Sequence, residues 1–217
     1  MNPFFKRVIS WGSIILLGYF TCLLVLITLQ YVPIRLDVAF LNVKQSVVHL
    51  KHYQVAFFSH VFTSIWVLVF AVVQFIPGIR DHLPQIHRFT GKLYIFLVLV
   101  IASPSGFVMG YYANGGWVSQ ISFMIQAILW FYFTFLGFQM AKRMDWEKHQ
   151  LFMWRSFALT LSAITLRLFK WIIIGVFEWP PMDTYRLVAW LGWVFNLMGV
   201  EILWYYKYAP KGRNGMP

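Results

Sequence analysis

The chain has 217 residues, of which 60% are hydrophobic and 12% are charged, and its formal net charge is +11. Soluble domains carry about 25% charged residues, so this composition excludes an ordinary soluble domain and indicates one integral membrane domain over residues 1–217. The cations fall between the apolar runs, where lipid headgroups and membrane topology account for them, so we expect no nucleic acid partner.

Six apolar windows are long enough to cross a bilayer, since a spanning helix needs about 20 mostly apolar residues. They cover residues 11–32, 54–76, 92–112, 116–140, 152–177 and 184–207. Several of them end at prolines: Pro33, Pro77, Pro180, Pro181 and Pro210. The predicted fold class is therefore all-α, a polytopic integral membrane bundle of six transmembrane helices.

The lysines and arginines between the spans predict the orientation. With the N-terminus inside, four cations lie in outer segments: Arg35, Lys44, Lys51 and Arg186. Eleven lie in inner segments: Lys6, Arg7, Arg80, Arg88, Lys92, Lys142, Arg143, Lys148, Lys207, Lys211 and Arg213. This asymmetry predicts that both termini are cytoplasmic.

The first outer loop, residues 33–53, is the only long connection between spans. Its apolar residues recur at helical spacing: Leu36, Phe40, Val43, Val47 and Leu50. This period predicts a short helix lying on the outer surface.

The third span contains the stretch "ASPSGFVMGYY". Pro104 is expected to kink the helix, and Ser103 and Ser105 are placed to satisfy the backbone groups that it frees. Gly106 and Gly110 form a pair of small residues four apart, which favours close contact with a neighbouring helix.

Polar side chains inside the spans follow helical stripes, and such stripes are expected to point inward. They are His60, Ser64 and Gln74 in the second span, Ser119, Ser122, Gln126 and Trp130 in the fourth, and Ser156, Thr160, Arg167 and Lys170 in the fifth.

The depths of these residues suggest an anion or ligand cavity formed by His60, Gln74, Gln126, Arg167 and Lys170. No acidic residue matches the depth of the two cations, which favours an anionic ligand. The alternative is that Arg167 and Lys170 reach the interface or bond backbone carbonyls. Glu201 lies too far inward to pair with them, and Arg155 is its candidate partner.

Two stretches, "QIHRFTGKLY" and "WEKHQLFMWRS", put His87 and His149 at the inner mouths of the third and fifth spans. Two histidines at similar depth suit bis-histidine ligation of heme b. A macrocycle would approach the backbone at Gly91, which shares a helical face with His87 and Tyr94. Arg88 and Arg155 would meet its propionates. The alternative is that both histidines only cap helices or meet headgroups.

Other chemistries lack the residues that they need. His49 and His52 share a helical face, but no third metal ligand accompanies them, and we expect no metal site. The single cysteine, Cys22, excludes a disulfide within the chain and cysteine-based metal centres. No nucleophile motif or carboxylate pair is present, so no catalytic residue is assigned.

Both histidine stretches, together with Ser105, Gly106 and the end of "HQLFMWRSFALTLSAITLRL", resemble a family of bacterial predicted membrane proteins, domain-of-unknown-function family 2306. The resemblance covers roughly residues 54–171. The positions that match its pattern are His87, Arg88, Gly91, Tyr94, His149, Met153, Arg155, Ser156, Arg167 and Leu168. It implies a multi-pass protein of the bacterial cytoplasmic membrane and no particular activity.

Three function classes remain open. The first is a redox-type subunit that binds heme b or a quinone between helices. The second is an accessory or structural subunit of a larger membrane complex, with other membrane subunits and the lipid bilayer as partners. The third is a binder or carrier of an anionic lipid or small anion that uses the cations inside the spans.

Overall fold

The computed structural model describes residues 3–76 and 78–208, and the side chains of residues 11–76 and 78–207. Six residues on which the predicted span ends and orientation partly rest lie outside the described side chains: Pro77, Pro210, Lys6, Arg7, Lys211 and Arg213. The predicted orientation of the chain in the membrane stays a prediction.

The described part of the chain is helical and contains no strand. Its α-helices are α1 (Pro3–Leu29), α2 (Lys51–Phe75), α3 (Ile79–His82), α4 (Pro84–Leu97), α5 (Ser103–Tyr111), α6 (Trp117–Lys142), α7 (Trp146–Phe177) and α8 (Pro181–Tyr208). A π-helical turn, Val98–Ala102, joins α4 to α5. Six helices are long and apolar enough to span a membrane, and α4 and α5 together form the third of them. The predicted all-α fold with six spanning helices is confirmed.

The third and fifth spans begin earlier than the apolar windows indicated. The third starts at Pro84 rather than at residue 92, because proline suits the first turn of a helix and the polar stretch after it continues the helix. The fifth starts at Trp146, where the Asp145 carboxylate accepts a bond of 3.1 Å from the Lys148 backbone N–H. His87 and His149 therefore lie in helices, near their N-terminal ends.

The chain forms two compact units, Met1–Phe131 and Tyr132–Pro217, and the division falls within α6. The first unit contains contacts of α2 with α1, α4 and α5, and the second contains the pairing of α7 with α8. Each unit is treated by itself below, and the predicted single domain stays a prediction.

The outer loop carries its short helix as a six-residue 3-10 helix, Ala39–Lys44. A 3-10 helix has three residues per turn rather than 3.6, so the face that it buries differs from the predicted one. Leu41 is buried, whereas Val43, which the helical period placed on the apolar face, is 63% exposed.

We call the segment from Tyr31 to Leu50 the outer cap, after its predicted side of the membrane and because it packs over the start of α2. Tyr31, Leu41 and Val48 of the cap form an apolar core together with Tyr53 and Phe57 of α2. The Tyr31 hydroxyl accepts a hydrogen bond of 3.2 Å from the Phe40 backbone N–H. The cap is thus a folded part of the first unit rather than a helix lying apart on the surface.

Lys44 ties the outer cap to the connection between α5 and α6. Its ammonium group donates to the Tyr112 carbonyl and, at 2.6 Å, to the Asn114 side-chain oxygen, and it lies 5.6 Å from the Phe40 ring centroid. The side chain is buried. Burial lowers the pKa of Lys44 to about 8, because the charged form loses its hydration.

This lowered pKa predicts how the stability of the cap depends on pH. The folded-state pKa, about 8, lies below the ordinary lysine value of 10.5, so between these pH values the unfolded chain binds more protons. The contribution of Lys44 to stability should therefore rise with pH from about 8 to 10.5. Hydrogen exchange of the cap amides, referenced to exposed amides at each pH, measures it.

Lys44→Met should abolish the rise in cap stability with pH. Lys51→Met, which removes an exposed lysine at the start of α2, should preserve it. The same pH dependence in both variants would contradict the assignment to Lys44.

Candidate functional site

Within the first unit, His60 of α2 is held against the proline-containing segment of the third span. Its Nδ1 lies 2.8 Å from the Ala102 carbonyl and 3.2 Å from the Ser105 hydroxyl. A carbonyl only accepts, so Nδ1 carries the proton. Gly106 makes room for the ring, since a Cβ there would lie 3.0 Å from the imidazole Cε1.

Pro104 lies in the first turn of α5, directly after the π-helical turn, and the chain stays helical through both. The Ser105 hydroxyl donates to the Ile101 carbonyl at 2.6 Å, and the Ser103 hydroxyl donates to the Ala127 carbonyl of α6 at 2.7 Å. The predicted role of Ser105 stays a prediction, because Pro104 frees the carbonyl four residues before it, at Val100, whereas Ser105 bonds Ile101. Ser103 instead joins two helices.

The small-residue pair of the third span also makes its predicted contacts, although with two different helices. Gly106 lies against His60 of α2, whereas a Cβ at Gly110 would lie 3.1 Å from the Phe123 Cβ and from the Met124 backbone nitrogen of α6. The missing side chains therefore let α5 approach α2 and α6 closely.

At the other end of the first unit, Gln74 contacts the helix that carries His87. Its amide nitrogen donates to the Thr90 hydroxyl at 2.5 Å and to the His87 carbonyl at 3.2 Å. A Cβ at Gly91 would lie 3.6 Å from the Gln74 side-chain oxygen, so the Gln74 amide covers this glycine. Gln74 is fourteen residues, or roughly 21 Å, along α2 from His60. The structure therefore groups Gln74 with His87 and Gly91 rather than with His60.

The other residues that the sequence groups with His87 differ in burial. Tyr94 is 2% exposed. Arg88 is exposed, and its Nε donates to the Pro84 carbonyl at 3.3 Å, which leaves most of its guanidinium donors for other acceptors.

In the second unit, His149 is fixed on the last turns of α6. Its Nδ1 lies 2.8 Å from the Gly137 carbonyl, so Nδ1 carries the proton here as well. Its ring meets the Trp146 ring edge-on at 6.2 Å. Gly137 has no room for a side chain, since a Cβ would lie 2.7 Å from the Met153 sulfur. This geometry makes Nε2 the nitrogen that can accept a proton or coordinate a metal.

Arg155 and Glu201 form a two-pronged ion pair between α7 and α8. The Arg155 Nε and Nη2 donate to the two carboxylate oxygens at 2.6 and 2.8 Å. The guanidinium also lies 5.5 Å from the ring centroids of Phe133 and Phe152. The predicted pairing of Arg155 with Glu201 is confirmed.

The same pair lines a groove of about 600 Å³ in the second unit. Its other walls are hydrophobic: Phe133, Trp193, Val194, Leu197, Met198 and Ile202. The sequence predicts the pairing of Arg155 with Glu201 but not the groove, because the lining of the groove comes from three helices.

The cations expected in the outer cavity make local contacts. Arg167 is exposed and donates to the Ala163 carbonyl of its own helix at 2.5 Å. The Lys170 ammonium lies 5.9 Å from the Tyr185 ring centroid. These contacts match the alternative in which such cations bond backbone or reach the interface. Farther along the same stripe, Ser156 and Thr160 are buried, as predicted.

Asn196 is a polar residue of the spans that the sequence analysis missed. Its amide nitrogen lies 3.0 Å from the Ala158 carbonyl, 2.9 Å from the Gly192 carbonyl and 3.0 Å from the Thr165 hydroxyl. It therefore links α7 to α8. A lone asparagine within an otherwise apolar run was the available signal, because such residues often bond across helices.

The described residues contain no group of three or more histidine, cysteine, aspartate or glutamate side chains that could hold a metal ion. His52 bonds the Tyr112 hydroxyl through Nε2 at 2.7 Å, and His49 is exposed. His87 and Gln126 belong to the first unit and His149, Arg167 and Lys170 to the second, so the heme site and the outer cavity stay predictions as complete sites.

The ion pair generates a prediction about stability. Arg155→Gln should destabilise the protein by about 1–3 kcal/mol, because it leaves the Glu201 carboxylate without its partner inside a span. The double variant Arg155→Gln/Glu201→Gln should recover most of this loss. Unfolding in mixed detergent micelles gives the free energies.

Arg186→Gln is the matched control, since it breaks the exposed pair with Asp183 and should cost less than about 1 kcal/mol. Losses that simply add in the double variant would show that the two side chains do not stabilise each other.

A family model described as Predicted membrane protein (DUF2306) matches residues 57–204. The match contains the residues discussed above from His60 to Glu201, and it leaves out α1 and the outer cap. No curated protein and no solved structure matches the chain.

Proposed function

The chain belongs to the DUF2306 family of predicted membrane proteins, and on that premise we propose that it is a redox-type membrane subunit that binds heme b or a quinone between its helices. The proposed location is the bacterial cytoplasmic membrane, as a multi-pass protein.

The observation that carries this proposal is the fixed imidazole of His149. A ligating histidine commonly donates its second ring N–H to a backbone carbonyl or a carboxylate, which sets the tautomer and the ring orientation. The bond of 2.8 Å from Nδ1 to the Gly137 carbonyl does this for His149 and leaves Nε2 as the coordinating nitrogen. The close packing of Gly137 on Met153 keeps that carbonyl in place.

The residues predicted to surround a heme differ in how well they suit their proposed roles. His149 suits an axial ligand, and His87 is its proposed partner. Arg88 is exposed and has donors to spare for a propionate. Arg155 fits less well, because Glu201 already neutralises it. Gly91 offers an open face only if the Gln74 amide moves away. A bound heme b would supply one-electron transfer.

An absorption spectrum tests the heme form of the proposal. Protein purified after expression with added heme should show a Soret band and, after dithionite reduction, a b-type α-band. His149→Leu should lose most of the bound heme, because it removes the coordinating nitrogen. His82→Leu removes an exposed histidine of the first unit and should keep the bound heme. No Soret band in wild type, or equal loss in both variants, would refute heme ligation by His149.

A second candidate is an accessory subunit of a larger membrane complex, and α1 favours it. Only 11% of its spanning window is buried, and Ile15, Tyr19 and Leu26 are among its exposed side chains. Such a helix is available to another membrane subunit as well as to lipid.

Photo-crosslinking from position 19 should then join the protein to one membrane protein partner, whereas crosslinking from position 66, on α2, should not. Crosslinks to lipid alone from both positions would exclude this use of α1.

A further inference from the structure

We propose that the groove ending at Arg155 and Glu201 binds the head of a lipid-soluble quinone or quinol. This inference rests on the proposed redox-type function and names the ligand and the residues that bind it. It needs no heme and none of the histidines.

The ion pair lies within a spanning helix pair and is still partly exposed. Glu201 lies six residues before Lys207, the end of its spanning helix, which places it about 9 Å inside the span. Its side chain is nevertheless 50% exposed, and that of Arg155 is 22% exposed. Charged groups inside a membrane are costly unless they are paired and meet other polar groups. A partly exposed ion pair at this depth can therefore bind a polar group of a ligand.

The ion pair leaves part of its hydrogen-bonding capacity unused. A guanidinium has five N–H donors, of which Arg155 directs two at Glu201, so three remain. Each carboxylate oxygen of Glu201 retains a further acceptor site. A quinone carbonyl can accept from Arg155, and a quinol hydroxyl can donate to Glu201. One pair of side chains thus offers a partner to both forms.

The size of the groove and the polarity of its walls suit a quinone. The groove of about 600 Å³ falls in the range of small-molecule sites, roughly 300–1,000 Å³. Phe133 and Trp193 supply aromatic surfaces for a flat ring. Leu197, Met198 and Ile202 are aliphatic or thioether surfaces that suit a long hydrocarbon tail.

The charge balance disfavours the other amphiphiles. The pair is neutral overall, so a lipid phosphate or a heme propionate that accepts from the remaining Arg155 donors would lie beside the negative Glu201 carboxylate, which repels it. A plain acyl chain would leave the polar end of the groove without a partner. A neutral head that both accepts and donates hydrogen bonds is the chemistry that fits.

Calorimetric titration of the full-length protein in detergent tests the inference, with a ubiquinone analogue that bears a decyl tail as the probe. Leu197→Trp should weaken binding by about tenfold or more, because the larger ring fills the groove. The matched control is Leu203→Trp, at an exposed position of the same helix outside the groove, which should stay within about twofold of wild type. If Leu197→Trp does not purify as a monodisperse protein, Met198→Trp at the exposed side of the groove replaces it.

Glu201→Gln tests the polar end. It should weaken binding of the quinone analogue and strengthen binding of decyl phosphate by about tenfold, because Arg155 would then be an unpaired cation. A purely structural role of Glu201 would weaken both ligands together. No binding of the quinone analogue by wild type, tighter binding of decyl phosphate by wild type, or equal losses in the Leu197 and Leu203 variants would overturn the inference.

Heme ligation by His149 and quinone binding in the groove can be refuted independently of each other. A protein with a heme spectrum that does not bind the quinone analogue overturns only this inference. A protein without heme that meets the quinone tests retains the redox-type function and loses the role given to His149.

Discussion

Inside a membrane, polar groups cannot turn to water, and this constraint applies to the polar side chains of the spans, several of which bond a backbone carbonyl. His60 bonds the Ala102 carbonyl beside the π-helical turn, and His149 bonds the Gly137 carbonyl. Asn196 bonds carbonyls of two helices. In each case a side chain that could have been a ligand is also part of the scaffold. The bond to the carbonyl decides which of its atoms remains for chemistry.

The same reasoning explains why the two histidines have a single possible tautomer when neutral. A carbonyl has no proton to give, so the ring nitrogen that faces it must donate. Gly106 and Gly137 make these contacts close, because a side chain at either position would collide with a neighbour. The position of each histidine ring therefore depends on a nearby glycine.

The ion pair between Arg155 and Glu201 poses a different physical problem, since neither charge is sheltered by a backbone group. The two side chains neutralise each other at 2.6 and 2.8 Å and still leave polar atoms facing a hydrophobic groove. This combination changes the ligand that we propose for Arg155 within the proposed redox-type function. Arg155 is less suited to a heme propionate than its position in the sequence suggested, and better suited to the neutral head of a quinone.

The sequence by itself determined the six spans, the pairing partner of Glu201 and the buried stripe that begins at Ser156 and Thr160. These follow from hydropathy, depth and helical period, which depend on one helix at a time. Only the tertiary structure decided that Gln74 covers Gly91, that the carbonyl of Gly137 orients His149, and that Arg167 bonds its own helix. The tertiary structure also determined that a groove forms beside Arg155 and Glu201 and that the outer cap contains a 3-10 helix. These features depend on which side chains of neighbouring elements meet, and a helical period contains no information about the partner that a face contacts.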